Sequence, residues 1–162
     1  MCGRFALYSS PESVAQRLRL PASEQAWVSR YNVAPGTWIT GVWHQGPGTG
    51  PAFGQLWWGY RPAWAKEGAP QPINAKVETV STSRYFHAAF MRHRCLIPAD
   101  GWFEWLVTEH GKQPYYLSRR DREPLFFQGS GPNELMVRQG VRFSQSRPVV
   151  LPRKFMTACL WR

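Results

Sequence analysis

The sequence predicts an α+β fold: a single domain, residues 1–162, built on a curved, mostly antiparallel β-sheet with a few short helices. Three observations carry this prediction. At 162 residues the chain suits one core. Short apolar and aromatic runs recur along it, each bounded by Gly, Pro or charged residues, which is the pattern of strands joined by turns. Only two or three stretches place apolar residues at helical spacing. Composition agrees, with 43% hydrophobic and 19% charged residues, too apolar for a disordered chain despite 14 Gly and 14 Pro. No apolar run approaches the ~18 residues that a membrane-spanning helix needs.

The elements follow in order. Gly3–Tyr8 reads as a first strand. Pro11–Leu20 reads as a helix, with Val14 and Leu18 at helical spacing and a serine ahead of Pro11 to open it. Tyr31–Gly36 ends in a Pro-Gly turn. Trp38–Trp43 and Phe53–Tyr60 read as strands flanking a Gly/Pro-rich hairpin loop, 46–54. Residues 61–72, with Pro62, Gly68, Pro70 and Pro72, form a long loop that holds Trp64. Ser83–Arg92 reads as a helix with Phe86, Ala89 and Phe90 on one face. Cys95–Pro98, Gly101–Val107, Gln113–Ser118 and Pro124–Phe127 read as strands, the last two separated by the charged turn Arg119–Glu123. Residues 129–145 show little apolar periodicity. A short apolar run, 147–152, and a terminal helix, 153–162, complete the expectation.

Charge and cysteine content narrow the function. Lys and Arg total 20 against 10 Asp and Glu, a net charge of +10, which favours a polyanionic partner. Aromatics make up 15%, with nine Trp, and aromatic faces among basic residues suit unpaired bases. Three cysteines, Cys2, Cys95 and Cys159, form no disulfide framework and no zinc-binding spacing. No cofactor or metal is expected. No secretory signal opens the chain, a reducing cytosol is the simplest compartment, and a monomer is expected because nothing demands an oligomer.

Several residues stand out for their chemistry, each beside a plainer alternative. Cys2 is either a small buried hydrophobe or, after removal of Met1, an amine and a thiol on one carbon skeleton. Those groups titrate near about 8 and about 8.5, so both are partly deprotonated near neutrality. Together they can trap an aldehyde, the amine as a Schiff base and the thiol by closing a five-membered thiazolidine ring. Glu104 shares a strand face with Trp102 and is either an exposed strand edge or a desolvated acid/base. Asn74 and Lys76 follow the proline-rich loop; Asn74 offers two donors or simply shapes a turn, and Lys76 can hold a phosphate. Trp64 is a plug over the core or a stacking surface. Arg84, with Arg92, His93 and Arg94, is a solvated helix face or a phosphate contact.

These pieces occur in an order that resembles the SOS-response-associated peptidase (SRAP) family. The matching stretches are Met1–Phe5, Arg30–Gly36, Trp58–Trp64, Asn74–Thr79, Arg94–Trp105 and Lys112–Tyr116, so residues 1–127 carry the resemblance. It implies a compact, barrel-like sheet with a basic groove over the site and no cofactor. It implies binding of single-stranded DNA at abasic sites and a thiazolidine crosslink from Cys2 to the ring-opened sugar, which shields the lesion. It assigns orientation of the reacting centre to Asn74 and proton transfer to Glu104. Phosphate contacts fall to Arg4 and Lys76, and base stacking to Trp64. It also implies self-processing of the N-terminus, a peptidase activity.

Three features depart from the family pattern. Lys76 stands where Arg is usual, keeping the charge but losing bidentate geometry. Ser144 stands at the position of a family His, in Ser144–Leu151, and none of His44, His87, His93 and His110 lies there. Serine is no near-neutral acid/base, so reversal of the crosslink should slow by about 10²–10⁴. Residues 128–143 read as too short and irregular for the family's next core strand, and Arg162 precedes the family's C-terminal strands, which predicts a short or C-terminally divergent member. Two alternatives stay open. A non-covalent single-stranded DNA-binding module would keep salt-sensitive binding in Cys2→Ala. A catalytically impaired, truncated copy would unfold with low cooperativity.

Overall fold

The structure, a computed structural model, describes residues 3–21, 26–44, 46 and 48–131, together with the backbone of 134–139. The described elements run β1 (Phe5–Leu7), α1 (Pro11–Leu18), β2 (Arg30–Val33), β3 (Trp38–His44), β4 (Pro51–Trp58), β5 (Asn74–Lys76), α2 (His87–Arg92), β6 (Arg94–Ala99), β7 (Gly101–Thr108), β8 (Gly111–Ser118), β9 (Leu125–Ser130) and β10 (Glu134–Gln139). They form two sheets, ordered β2-β1-β7-β8 and β4-β3-β6-β9-β10-β5. The second sheet curls far enough for β10 to meet β4 as well, which makes it barrel-like. Every pairing is antiparallel except those of β10 with β4 and β5. The expected α+β class, mostly antiparallel with few helices, therefore holds.

Local sequence explains the elements. The Ser13 N–H donates to the Ser10 side chain at 3.3 Å to open α1, and Pro11 sits where its missing N–H costs nothing. Arg19 closes α1 in the left-handed region, and the amides of Arg19 and Leu20 return to the carbonyls of Gln16 and Ala15. Gly36, at φ 71°, supplies the left-handed residue that the turn between β2 and β3 requires. At Gly101 a Cβ would lie 2.4 Å from the Leu117 carbonyl oxygen, so only glycine lets β7 and β8 approach so closely.

One cluster unites both sheets: Phe5, Val33, Ile39, Leu56, Trp58, Ile97, Trp102 and Phe127 are among its members. A smaller cluster of Tyr60, Ala75, Val80 and Ala89 lies under α2, with Tyr85, Phe86 and Phe90 packed on it. Asp100 is buried at 1% exposure, yet it accepts the Tyr8 and Ser9 amides at 2.6 and 2.8 Å and the Ser9 hydroxyl. It ties the end of β1 to the start of β7.

The structure corrects four expectations. Tyr31–Val33 is part of strand β2 rather than only the approach to a turn, because its backbone pairs with β1 while Tyr31 and Asn32 face outward. Pro51 and Ala52 belong to β4 rather than to the loop; Pro51 tolerates the terminal position opposite His44. α2 starts at His87, not Ser83, because 79–86 wind as turns in which the Thr82 hydroxyl bonds the Thr79 carbonyl. Residues 128–143 do supply a further strand, β10, which slots between β9 and β5. The run at 147–152 and the helix at 153–162 lie outside the described residues.

Candidate functional site

Arg4 immediately precedes β1, and Glu104 lies on the neighbouring strand β7 of the first sheet. The Phe103 amide donates to the Arg4 carbonyl at 2.9 Å, and the Arg4 guanidinium donates to Asn32 Oδ1 at 3.1 Å. Glu104 is half-buried and paired with Tyr115 on β8. β7 lies between β1 and β8, with β1 paired to it as far as Trp102, two residues short of Glu104. Trp102, which shares its face by the two-residue alternation, is buried against the core.

Asn74 and Lys76 belong to the second sheet. Asn74 opens β5, its Oδ1 is buried, and Lys76 two residues on is exposed. Trp58 links this strand to the first sheet. It is fully buried, its indole N–H donates to the Ile73 carbonyl at 3.0 Å, and its ring packs on Phe5 at 5.3 Å. Phe5 follows Arg4 and Ile73 precedes Asn74, so one indole couples the two neighbourhoods. Trp58 lies within a motif used for the family resemblance, yet sequence reasoning gave it no role. The Trp58-Gly59-Tyr60 run was the available signal.

Trp64 and Arg84 come together at a third place. Trp64 is 58% exposed, so it is no plug over the core. The Arg84 guanidinium lies 5.5 Å from its ring centroid, and Tyr85 meets its edge at 5.6 Å. Arg84 falls in the turn before α2 rather than on the helix. Tyr85 in turn leans on Tyr60 and Phe86, so the exposed indole rests on an aromatic base. This is a flat π surface with a cation held against it.

Chemistry separates the cysteines. Burial pushes the Cys95 thiol up to about 12, and a backbone hydrogen bond from Gly129 offsets this only in part. At neutral pH it is an inert core thiol. Cys2, Cys159 and Ser144 lie outside the described residues. Among the described residues no group of three His, Cys, Asp or Glu converges as a metal site, and no helix is long and apolar enough to cross a membrane.

A curved sheet pair that carries a half-buried acid, a buried amide and an exposed indole under a guanidinium belongs to the class of compact basic α+β domains. Comparison with known proteins gives the family. Residues 1–132 match SOS response associated peptidase (SRAP), and the chain belongs to that family. It is 36% identical over 137 residues to the abasic site processing protein YedK of Escherichia coli (strain K12), covering 81% of this chain and 60% of that protein. It is 35% identical over 109 residues to the abasic site processing protein YoqW of Bacillus subtilis (strain 168), covering 65% and 48%. The chain thus spans about half to three-fifths of these relatives. A crystal structure of a phage-related protein from Bordetella bronchiseptica superposes with a TM-score of 0.71 at 31% identity, over 85% of this chain and 68% of that one.

Proposed function

We propose that this domain binds single-stranded DNA at abasic sites and captures the lesion covalently through Cys2 once Met1 is removed. The family, and relatives named for abasic site processing, support the substrate. The observation that carries the chemistry is the pairing of β1 with β7, Phe5 opposite Trp102. Continued two residues toward the N-terminus, this register sets Gly3 opposite Glu104. Cys2 is the residue that precedes Gly3 in sequence. The α-amine condenses with the sugar aldehyde and releases one water. The thiolate then adds to the imine carbon, and the nitrogen takes up a proton. Glu104 is the group that moves protons in these steps, and Asn74 orients the sugar.

Arg4, Lys76 and Arg84 hold phosphates, and Trp64 stacks a base beside the lesion. Lys76 acts as a point charge rather than a fork, so its phosphate contact carries less geometric demand than Arg would. The self-processing peptidase step that exposes Cys2 is part of this reading.

Intact mass tests it. The protein is weighed before and after incubation with a single strand carrying one abasic site. A protein lacking Met1 that gains the mass of the strand less one water, with no gain in Cys2→Ala, is the expected result. A processed protein that binds the strand without any mass gain refutes capture and leaves non-covalent binding.

A further inference from the structure

The outer face of the first sheet carries rings that the core does not use. Phe5 and Leu7 of β1 point into the core, so Arg4, Ala6 and Tyr8 face the other way. β2 opposes this stretch with a bulge, because Phe5 pairs with Val33 but Leu7 with Arg30. The extra residue lets two successive β2 side chains meet that face. Asn32 takes the Arg4 guanidinium, and Tyr31 stacks on Tyr8 with centroids 5.4 Å apart and planes 19° from parallel. From the far side the Tyr116 hydroxyl reaches that of Tyr8 at 3.5 Å. The Tyr116 ring lies over Gly101, where a Cβ would come within 2.5 Å of it. Phe103, its cross-strand partner, packs on it at 5.1 Å.

Rings therefore run across the sheet, Tyr31 on β2, Tyr8 just past the end of β1, Phe103 on β7 and Tyr116 on β8, with Trp105 continuing the Phe103 face toward the hairpin end. They remain accessible, Tyr31 at 67% and Tyr116 at 41%. Arg4 puts a guanidinium on this face. Asp100 beneath is buried and taken up by the amides and hydroxyl of Tyr8 and Ser9, and Glu104 alternates to the opposite face.

We infer that this face is a stacking rail for the unpaired bases that flank the lesion, on the strand whose phosphate Arg4 holds. The inference rests on the single-stranded DNA reading of the preceding section. The Arg4 guanidinium selects an anion, stacked tyrosines accept any base through its π-face, and Arg4 makes the rail continuous with the N-terminal end of β1. Each base that docks adds affinity without adding a phosphate contact beyond that of Arg4.

The experiment measures binding of oligothymidylates of increasing length around one tetrahydrofuran site, an abasic analogue that has no aldehyde. Wild-type affinity should rise as flanking nucleotides are added. Tyr31→Ala should lose about 5- to 100-fold on the long strands and little on the shortest, and Tyr31→Phe should restore it. The salt slope should not change, because no phosphate contact is removed. Tyr31 is a surface ring, so its alanine variant should melt with the wild type, and this is checked first. If Tyr31→Ala binds long strands as the wild type does while Arg4→Ala weakens them, the rail is refuted and the DNA-binding function stands. If the wild type ignores single strands of every length, both fall. Self-association that Tyr31→Ala abolishes, with DNA affinity unchanged, would assign the face to a second copy and also refute the rail.

Discussion

Replacing Asp100 with alanine should loosen the end of β1 and the start of α1 together. The carboxylate is buried and takes two amides, at 2.6 and 2.8 Å, and one hydroxyl. Hydrogen bonds to a charged group contribute about 1.5–3 kcal/mol each, but bonds that share one acceptor group are not additive. Water also reaches part of Tyr8 and Ser9, so a net loss of about 3–5 kcal/mol is expected rather than the full sum. For a domain of this size that lowers Tm by about 10 °C. Asp100→Asn retains one acceptor oxygen for the two amides and should cost about half as much. Ser9→Ala removes only the hydroxyl bond, about 1 kcal/mol. Urea unfolding reads all three as shifts in midpoint at constant slope. In the double variant Ser9→Ala with Asp100→Ala the losses should fall short of additive, since the second change removes a partner already gone. An Asp100→Ala midpoint within about 0.5 kcal/mol of wild type would refute the argument that this carboxylate anchors β1.

Gly101→Ala should destabilise by about 1–3 kcal/mol, because its Cβ would meet the Leu117 carbonyl and the Tyr116 ring; an unchanged urea midpoint would contradict that packing. Above pH ~9 the unfolded Cys95 thiol ionises while the buried one stays protonated up to about 12. The unfolded state then holds fewer protons, so stability should fall as pH rises through that window. Cys95→Val should flatten this part of the slope when midpoints at pH 9 and 10 are compared, and an identical slope in the variant counts against it. Arg84→Ala should weaken binding of single-stranded DNA evenly across sequences and lower the salt slope by about 1, measured by titration at several salt concentrations; an unchanged slope removes Arg84 from the interface. Trp64→Ala should cost about 1–3 kcal/mol of that binding at an unaltered salt slope, whereas a loss that scales with salt would mean the indole supports a phosphate contact instead.

Strands with strong local signatures were legible in the sequence. β1, β3, β6, β7 and β8 each carry apolar residues between clear breakers, and α1 announces itself through a serine cap and Pro11. The elements that escaped are those whose pairing partners are distant. β2 shows the sequence Arg-Tyr-Asn-Val, with two polar residues and no alternation, because its bulge turns two successive side chains outward. β10 has a run of only three apolar residues, Leu135–Val137. It is a strand because β9, β4 and β5 offer it backbone partners, a condition that no local window contains. At Ser83–Arg92 the apolar spacing was right about which side chains meet the core, since Ala89 is buried with Phe86 and Phe90 beside it. It was wrong about the start of the helix, because a run of hydroxyl residues favours turns.

The candidate site was legible as a set of residue types and not as an arrangement. Motif order marked Arg4, Asn74, Lys76 and Glu104, but Arg4 leads into the first sheet and Glu104 lies on it, whereas Asn74 and Lys76 lie on the second. What joins them is Trp58, bonded to the carbonyl ahead of Asn74 and packed on the residue after Arg4. A buried indole with one satisfied N–H is a rigid spacer, since its ring has few ways to repack. One side chain therefore fixes the spacing between the start of β5 and the start of β1. The composition signal worked differently. Nine tryptophans and a net charge of +10 suggested stacking surfaces without locating them. The fold divides those tryptophans by function: Trp58 is fully buried and positions strands, whereas Trp64 stands exposed under a guanidinium. Tyr8 and Tyr31 looked unremarkable in sequence because no motif contains Tyr8 and the two are separated by α1. Only the bulge in β2 lays one ring on the other, which is why the aromatic face of the first sheet is a property of the fold rather than of any stretch of sequence.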